Sequence, residues 1–220
     1  MKMKKVIAVS VLTAGMVSSV FAAEKNMDET FSRVVEIDNE LNKLIAERDN
    51  LISQKTDNAS GYGDYETTYH EGQYKIGSEI PAGEYVFFAT GDFQGSFKET
   101  TDSNGSDRVE SEYFYYNYIY TITEGNYITI SNAFAVPADQ VTELNTKKGY
   151  GMFRVGKDIA AGEYQLVPTK FTVPGSFHTY SSSETGLREN RLDNDYFSSI
   201  TYVNVHDGEY LLIENSLFVE

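Results

Sequence analysis

The spacing of apolar residues changes twice along this chain, and each change marks a different kind of element. Val6 to Val20 is apolar or small and follows the basic residues Lys2, Lys4 and Lys5. Val20-Phe21-Ala22 before Ala23 meets the small-x-Ala rule for signal cleavage, so residues 1–22 are read as a cleaved secretory signal. The alternative is an uncleaved membrane anchor, but the run falls short of the ~20 apolar residues that a spanning helix needs. Helical spacing takes over next. Phe31, Val34, Ile37, Leu41, Leu44 and Leu51 recur at steps of three, four and seven, and no Gly or Pro interrupts Asn26 to Ser53. Asn26 and Glu29 have capping-box spacing, which places the helix start there. On a heptad, Val34, Leu41 and Arg48 share one seam position and Ile37, Leu44 and Leu51 the other, with Val35, Ile45 and Ile52 widening the face. Such a face has to be buried, either by a second copy or by the rest of its own chain. Residues 23–56 are read as a long α-helix of coiled-coil type, and 57–72, with Asn58, Ser60, Gly61 and Gly63, as a linker.

From residue 73 the period shortens to two, and the text is written twice. Tyr74-Lys75-Ile76-Gly77-Ser78-Glu79-Ile80-Pro81-Ala82-Gly83-Glu84-Tyr85 returns as Phe153-Arg154-Val155-Gly156-Lys157-Asp158-Ile159-Ala160-Ala161-Gly162-Glu163-Tyr164. Tyr118 to Val136 aligns without a gap to Thr201 to Val219, so the offset grows from 79 to 83 across one variable region, as an insertion in a surface loop would do. Gly83 and Gly162 are expected to open strands, with Ile80 and Ile159 plugging the end of the core. Thr123-Glu124-Gly125 and His206-Asp207-Gly208 have the form of three-residue hairpin loops with glycine at positive φ. In that register Val203, Val205, Leu211 and Ile213 face inward, as do Tyr120, Ile122, Ile128 and Ile130. Tyr202, Asn204, Tyr210 and Leu212, with Ile119, Thr121, Tyr127 and Thr129, face outward. A two-residue turn would bury Asn204 and Thr121, and an unpaired buried amide costs roughly 1 to 3 kcal/mol. The expected architecture is mainly β: two homologous small antiparallel β-sandwich or barrel domains, each with its own core, at 73–137 and 152–220, joined by a linker at 138–151.

Val155-Gly156-Lys157-Asp158-Ile159-Ala160-Ala161-Gly162-Glu163-Tyr164, followed by Asp207-Gly208-Glu209-Tyr210-Leu211, resembles the "VGKDIPAGEY" repeat of secreted and surface-attached proteins of Gram-positive bacteria. The likeness spans nearly all of both repeats and rests mainly on turn residues. It implies a β fold and an envelope location, and it supplies no catalytic residues. A helix stands here where that family has a lipid-anchor cysteine.

Composition narrows the setting. Tyr and Phe supply 30 of the 220 residues, which suits half-buried pleated surfaces. Removing residues 1–22 takes away three lysines and no acid, moving the formal net charge from -15 to -18. That charge argues against nucleic acid or anionic lipid as partner. Cysteine is absent, so stability outside the cell has to come from burial, and the expected cleavage site offers no thiol for a lipid. The expected location is secreted or extracellular, in association with the cell envelope, with no transmembrane segment in the mature chain.

Candidate chemistry is sparse. His70, His178 and His206 are read as solvated structural residues, since none is spaced from another as metal ligands are. Asp102, Asn104 and Asp107, followed by Glu110 and Glu112, alternate oxygen ligands as a calcium loop does, although without EF-hand spacing; an ordinary acidic loop is the alternative. No other cofactor is suggested. Tyr113-Phe114-Tyr115-Tyr116-Asn117-Tyr118-Ile119-Tyr120 is aromatic-rich, whereas its counterpart in the second repeat, Tyr196 to Val203, has lost most of the rings. A strand buries one face of such a run, so Tyr113, Tyr115, Tyr116 and Tyr118 are candidates either for stacking on a sugar or anchoring a protein, or for packing the repeats together. The expectation is a non-enzymatic binding or display protein, homo-oligomeric through its helix, with an envelope glycan or protein as ligand. A structural self-assembly protein is the alternative, and a cell-wall glycan hydrolase ranks below both, because no carboxylate pair stands out.

Overall fold

The computed structural model describes residues 14–56, 65–90 and 93–219, with helix side chains at 29–48, 50 and 51. Residues 1–13 of the expected signal, the first part of the linker with Asn58, Ser60, Gly61 and Gly63, and Ile52 of the helical face lie outside that description. Two compact units are present, Met1–Arg48 and Asp49–Glu220. Helix α1 runs Ala14–Thr56. It therefore passes through Asn26, and the capping box is not its start in the unprocessed chain, because the small and apolar residues before it sustain helix equally well. The seam residues are open to solvent: Val34 is 47% exposed, Ile37 54% and Leu44 56%. Arg33 and Glu36 pair at 3.3 Å on the polar side. Among the described residues no helix is long and apolar enough to cross a membrane.

The remaining chain is antiparallel β. The first half carries β1 (Gly72–Lys75), β2 (Gly83–Ala89), β3 (Gly95–Thr100), β4 (Arg108–Phe114), β5 (Asn117–Ile122), β6 (Tyr127–Ser131) and β7 (Ala133–Pro137). The second carries β8 (Gly151–Arg154), β9 (Gly162–Pro168), β10 (Gly175–Tyr180), β11 (Arg191–Phe197), β12 (Thr201–Val205), β13 (Tyr210–Glu214) and β14 (Ser216–Phe218). Each half forms a four-stranded sheet, β1-β6-β3-β4 or β8-β13-β10-β11, and a three-stranded sheet, β5-β2-β7 or β12-β9-β14, so the strand order of one half is the strand order of the other. The sheets meet face to face through aromatic rings. Phe97 of β3 lies 4.7 Å from Phe87 of β2 and 4.7 Å from Tyr120 of β5. The result is sandwich-like rather than a closed barrel.

The shared motif residues are turn chemistry. Glu79 accepts a hydrogen bond from the Lys75 backbone N–H at 2.6 Å, and Asp158 does the same for Arg154 at 2.8 Å. Ile80 is fully buried and Ile159 half-buried, as plugs for the core end. One expectation changes: the loops carrying Gly125 and Gly208 are not hairpins. Strand β5 pairs with β2, whereas β6 pairs with β1 and β3, so the chain crosses from one sheet to the other. Both glycines have the expected positive φ, 88° and 87°, but their N–H groups bond back to Ile76 and Val155 at the ends of the first strands. The inward faces survive this change, because a crossing between facing sheets keeps the same alternation directed at the core. Val203, Val205, Leu211 and Ile213 are all buried. Asn132 and Asn215, at φ 47° and 49°, carry the chain back across from β6 to β7 and from β13 to β14; Asn tolerates this left-handed region better than most residues.

The expectation of two separate cores also changes. Buried residues from Ile76 to Ile213 form one connected hydrophobic cluster. Both expected linkers contribute to the body. Tyr65 stacks on Phe88 at 5.8 Å, Tyr69 meets Tyr85 at 5.8 Å, and Val141 and Leu144 are buried. Arg154, 7% exposed, binds Asp158 with two nitrogens and donates to the carbonyls of Ala138 and Val141, tying residues 138–151 to β8. Ile119, expected outside, is fully buried because β8 packs over β5.

Gly208→Val is expected to destabilise the β unit by roughly 1 to 2 kcal/mol, the cost of a side chain at positive φ. Asp207→Ala should cost far less. No atom lies within 4 Å of an added Cβ at Gly208, so the penalty is backbone strain rather than a clash. Urea melts give the magnitude. Hydrogen exchange should show protection lost in both repeats, as one connected core requires; loss confined to β8–β14 would mean that the seam is weaker than the sandwiches.

Candidate functional site

The seam between the repeats forms on one edge strand that is buried on both faces. In β5 the inward side chains Tyr118, Tyr120 and Ile122 fill the first sandwich, while Asn117 and Ile119 meet the second repeat. Asn117 Nδ2 donates to the Met152 carbonyl of β8 at 2.7 Å. Gly151 makes this approach possible: a Cβ there would stand 2.4 Å from Asn117 Oδ1. The loop between β10 and β11 is longer than its counterpart between β3 and β4, and this is where the repeat offset grows from 80 to 83. It uses the extra length to reach the first repeat. Thr185 and Ser183 meet the hydroxyls of Tyr118 and Thr121, each at 2.8 Å, and Tyr210 donates to Glu84.

Where β4 leaves the seam, a cavity of about 150 Å3 opens between β4 and the outer face of β10 and β13. Tyr115 and Tyr150, 4.9 Å apart, stand on its wall. Glu112, Tyr118, His178, Tyr180, Arg191 and Glu214 complete the polar lining. Burial, then the charges of Glu110 and Glu214, push the Glu112 carboxyl up to about 7 against the pull of Arg191 and Arg108. Burial, reinforced by Arg191, holds the His178 ring below its usual value and therefore neutral, although Glu214 pulls the other way. Burial raises Tyr180 to about 12. Among the described residues three buried side-chain atoms have no hydrogen-bond partner, Glu99 Oε2, Asn117 Oδ1 and His178 Nδ1, and the last two belong to residues of this lining. His178 is held by rings instead, stacked on Tyr180 at 6.2 Å and edge-on to Tyr196 at 6.0 Å.

The structure divides the tyrosine candidates. Tyr113 and Tyr115 are exposed at 64% and 50%, while Tyr116 and Tyr118 are buried at 8% and 2%. Tyr118 packs the seam, and the Tyr116 hydroxyl accepts from the Asn145 N–H at 2.8 Å, so these two follow the packing alternative. The acidic loop closes on itself. Asp102 accepts the Ser106 N–H at 2.9 Å, Asp107 accepts the Thr101 hydroxyl at 2.6 Å, and Lys98 places its ammonium on the Gly105 carbonyl. Asn104 is exposed. Among the described residues no group of three or more His, Asp or Glu is arranged to hold a metal ion. His70 and His206 are exposed, the latter paired with Glu209 at 3.1 Å, but His178 is not solvated as expected, being 9% exposed. Arg191, Glu214 and Tyr150 were not singled out by sequence, and Glu112 was noted only as an acid that follows the calcium-like loop. They come from four separate segments that only the seam brings together. Comparison with family models, curated proteins and solved structures finds no match for this chain.

Glu112 predicts a pH effect whose sign is fixed. Its folded-state value lies above the usual 4.5, so the stability it contributes is full below about 4.5 and lost as pH rises through about 7. Glu112→Gln should remove that slope and leave the variant more stable than the parent at alkaline pH. The expected gain is on the order of 1 to 2 kcal/mol once solvent screening of a partly exposed group is allowed for. His178 acts oppositely, losing stability as pH falls below its usual 6.5, so the difference between variant and parent urea melts isolates Glu112. Identical pH profiles would mean that Glu112 is solvated.

Proposed function

We propose that the protein is a secreted, non-enzymatic binding protein of the bacterial envelope, with its ligand site in the cavity at the seam of two homologous β repeats. One observation carries this reading. Buried polar groups in folded proteins nearly always have partners, yet two of the three unpaired ones among the described residues, Asn117 Oδ1 and His178 Nδ1, belong to residues that line one cavity, while the third, Glu99 Oε2, lies outside it. A ligand that supplies the missing partners accounts for both. The common strand order supports duplication of one unit, and the signal-like start with the turn motif shared with Gram-positive surface proteins supports the location. The exposed heptad face of α1 supports a coiled coil of several copies. Such a coil would multiply the avidity of a site that seats only one small group.

A self-assembly role is favoured by a different observation. Ile200 and Tyr202, at positions equivalent to the buried Asn117 and Ile119, are 53% and 59% exposed. A glycan hydrolase is favoured by the raised Glu112 carboxyl. Against it stands the size of the cavity, since hydrolysis within a polymer needs room for sugars on both sides of the bond.

Pulldown of cell-wall glycan and envelope fractions with the mature protein should retain a ligand, and Tyr115→Ala should reduce retention. Release of reducing ends would replace binding by hydrolysis. Light scattering of the mature chain should give a multiple of the monomer mass, and deletion of residues 27–55 should give a folded monomer. A mature chain already monomeric at micromolar concentration removes the coiled coil. Oligomers that persist without the helix transfer the assembly role to the β unit.

A further inference from the structure

The unsatisfied groups in the cavity have one property in common: they can all accept hydrogen bonds. Asn117 is fully buried, its Nδ2 is engaged with Met152, and only its carbonyl oxygen is left. His178 is neutral, and its Nδ1 has no partner, so the tautomer protonated at Nε2 presents another acceptor. Glu112 adds a carboxylate, and Glu214 adds a second, which accepts one bond from Ser176 at 3.1 Å. Arg191, the cation in this lining, has an exposed side chain at the rim. A ligand that brings donors would satisfy these acceptors, and with two carboxylates against one arginine the lining favours positive charge. Gly151, Leu212 and Ile213 also line it, and the remaining wall is aromatic. Tyr115, Tyr118, Tyr150 and Tyr180 line the cavity, and aromatic faces attract cations most strongly where water is excluded. At about 150 Å3 the space is that of a cavity known to hold one benzene, so it admits a single ring or short chain and not a disaccharide.

We propose that this cavity binds a primary ammonium group carried on a small body, with Glu112 as counter-ion, Asn117 and His178 as further acceptors, and the tyrosine rings as walls. The proposal rests on the cavity being the binding site. It also accounts for the strain on Glu112. Two neighbouring carboxylates and burial oppose its ionisation, and the two nearby arginines do not offset them; a bound cation would. Ammonium groups of this size occur on alkylamines and on amino sugars, and both would offer the same three donors.

Calorimetric titration of the mature full chain at about pH 7.5, where alkylamines are charged, tests the assignment. The probes are n-butylammonium and glucosamine, with 1-butanol and glucose as neutral counterparts. At least one amine should bind about tenfold or more tightly than its neutral counterpart, and Glu112→Gln should weaken it about tenfold. Asp102→Asn, an acid remote from the cavity, should change nothing. The stronger of the two amines identifies the body. Equal binding of amine and neutral counterpart overturns the ammonium assignment while keeping the cavity as a site. Binding of neither amine overturns it as well, and retention of cell-wall material lost in Tyr115→Ala would then still support the cavity. Amine binding unaffected by Glu112→Gln, with fold verified by circular dichroism, and by Tyr150→Leu places the ammonium site elsewhere and overturns the proposal.

Discussion

Everything distinctive about this β unit follows from the burial of β5 on both faces. A strand at the edge of a three-stranded sheet ordinarily shows one face to water, and in the second repeat β12 does so. In the first repeat the outer face carries Ile119 where the second carries Tyr202. Full burial of an isoleucine is worth about 1.5 to 3 kcal/mol, which favours docking, but docking also buries Asn117 and the Tyr118 hydroxyl. These polar groups have to be paired or the seam loses what it gained. Met152 takes the Asn117 amide N–H, Thr185 takes the Tyr118 hydroxyl and Ser183 meets Thr121, which leaves Asn117 Oδ1 over.

The two halves thus present one strand order in two environments. Gly77 and Gly156, Glu79 and Asp158, Gly125 and Gly208, and Asn132 and Asn215 perform the same backbone tasks in both halves. Their chemistry is local, since an acid four residues on caps an N–H and a residue at positive φ redirects the chain. The residues between them are free to drift, and they drift according to what covers them. The outer face of the four-stranded sheet shows this. It carries Lys98 and Thr129 in the first repeat, where it meets solvent, and His178 and Leu212 in the second, where it receives β4 and β5. Head-to-tail contact of this kind uses different surfaces on the two halves, so their symmetry is lost at the side-chain level while the strand order is kept.

The cavity is a consequence of the same mismatch. Strand β4 continues past the region that β8 covers, and its side chains stand over β10 and β13 without filling the gap. The gap collects ionisable groups from both repeats, with Glu112 on one side and His178, Arg191 and Glu214 on the other. Besides burial, the Glu112 carboxyl feels Glu110 of its own half and Glu214 of the other, so its shift draws on both. What the site can bind is therefore decided by the docking of the repeats, and any change that loosens the seam alters the pocket and the stability together.

Periodicity and punctuation determined a good deal by themselves. The helix, the positive-φ glycines and the inward residues of β5, β6, β12 and β13 were all legible, because each depends on steric and hydrophobic rules acting within a few residues. Strand partners were not. The loops at Gly125 and Gly208 have hairpin chemistry and still pass between sheets, since nothing local states which neighbour a strand will take. The site was half legible. The tyrosine run marked its wall, but Tyr116 and Tyr118 turned inward, and His178, expected in water, was buried. Glu112, Tyr150, Arg191 and Glu214 are ordinary residues in their own segments. Only tertiary structure made them a site, because burial and electrostatic coupling depend on distance in space, and the chain records only distance in sequence.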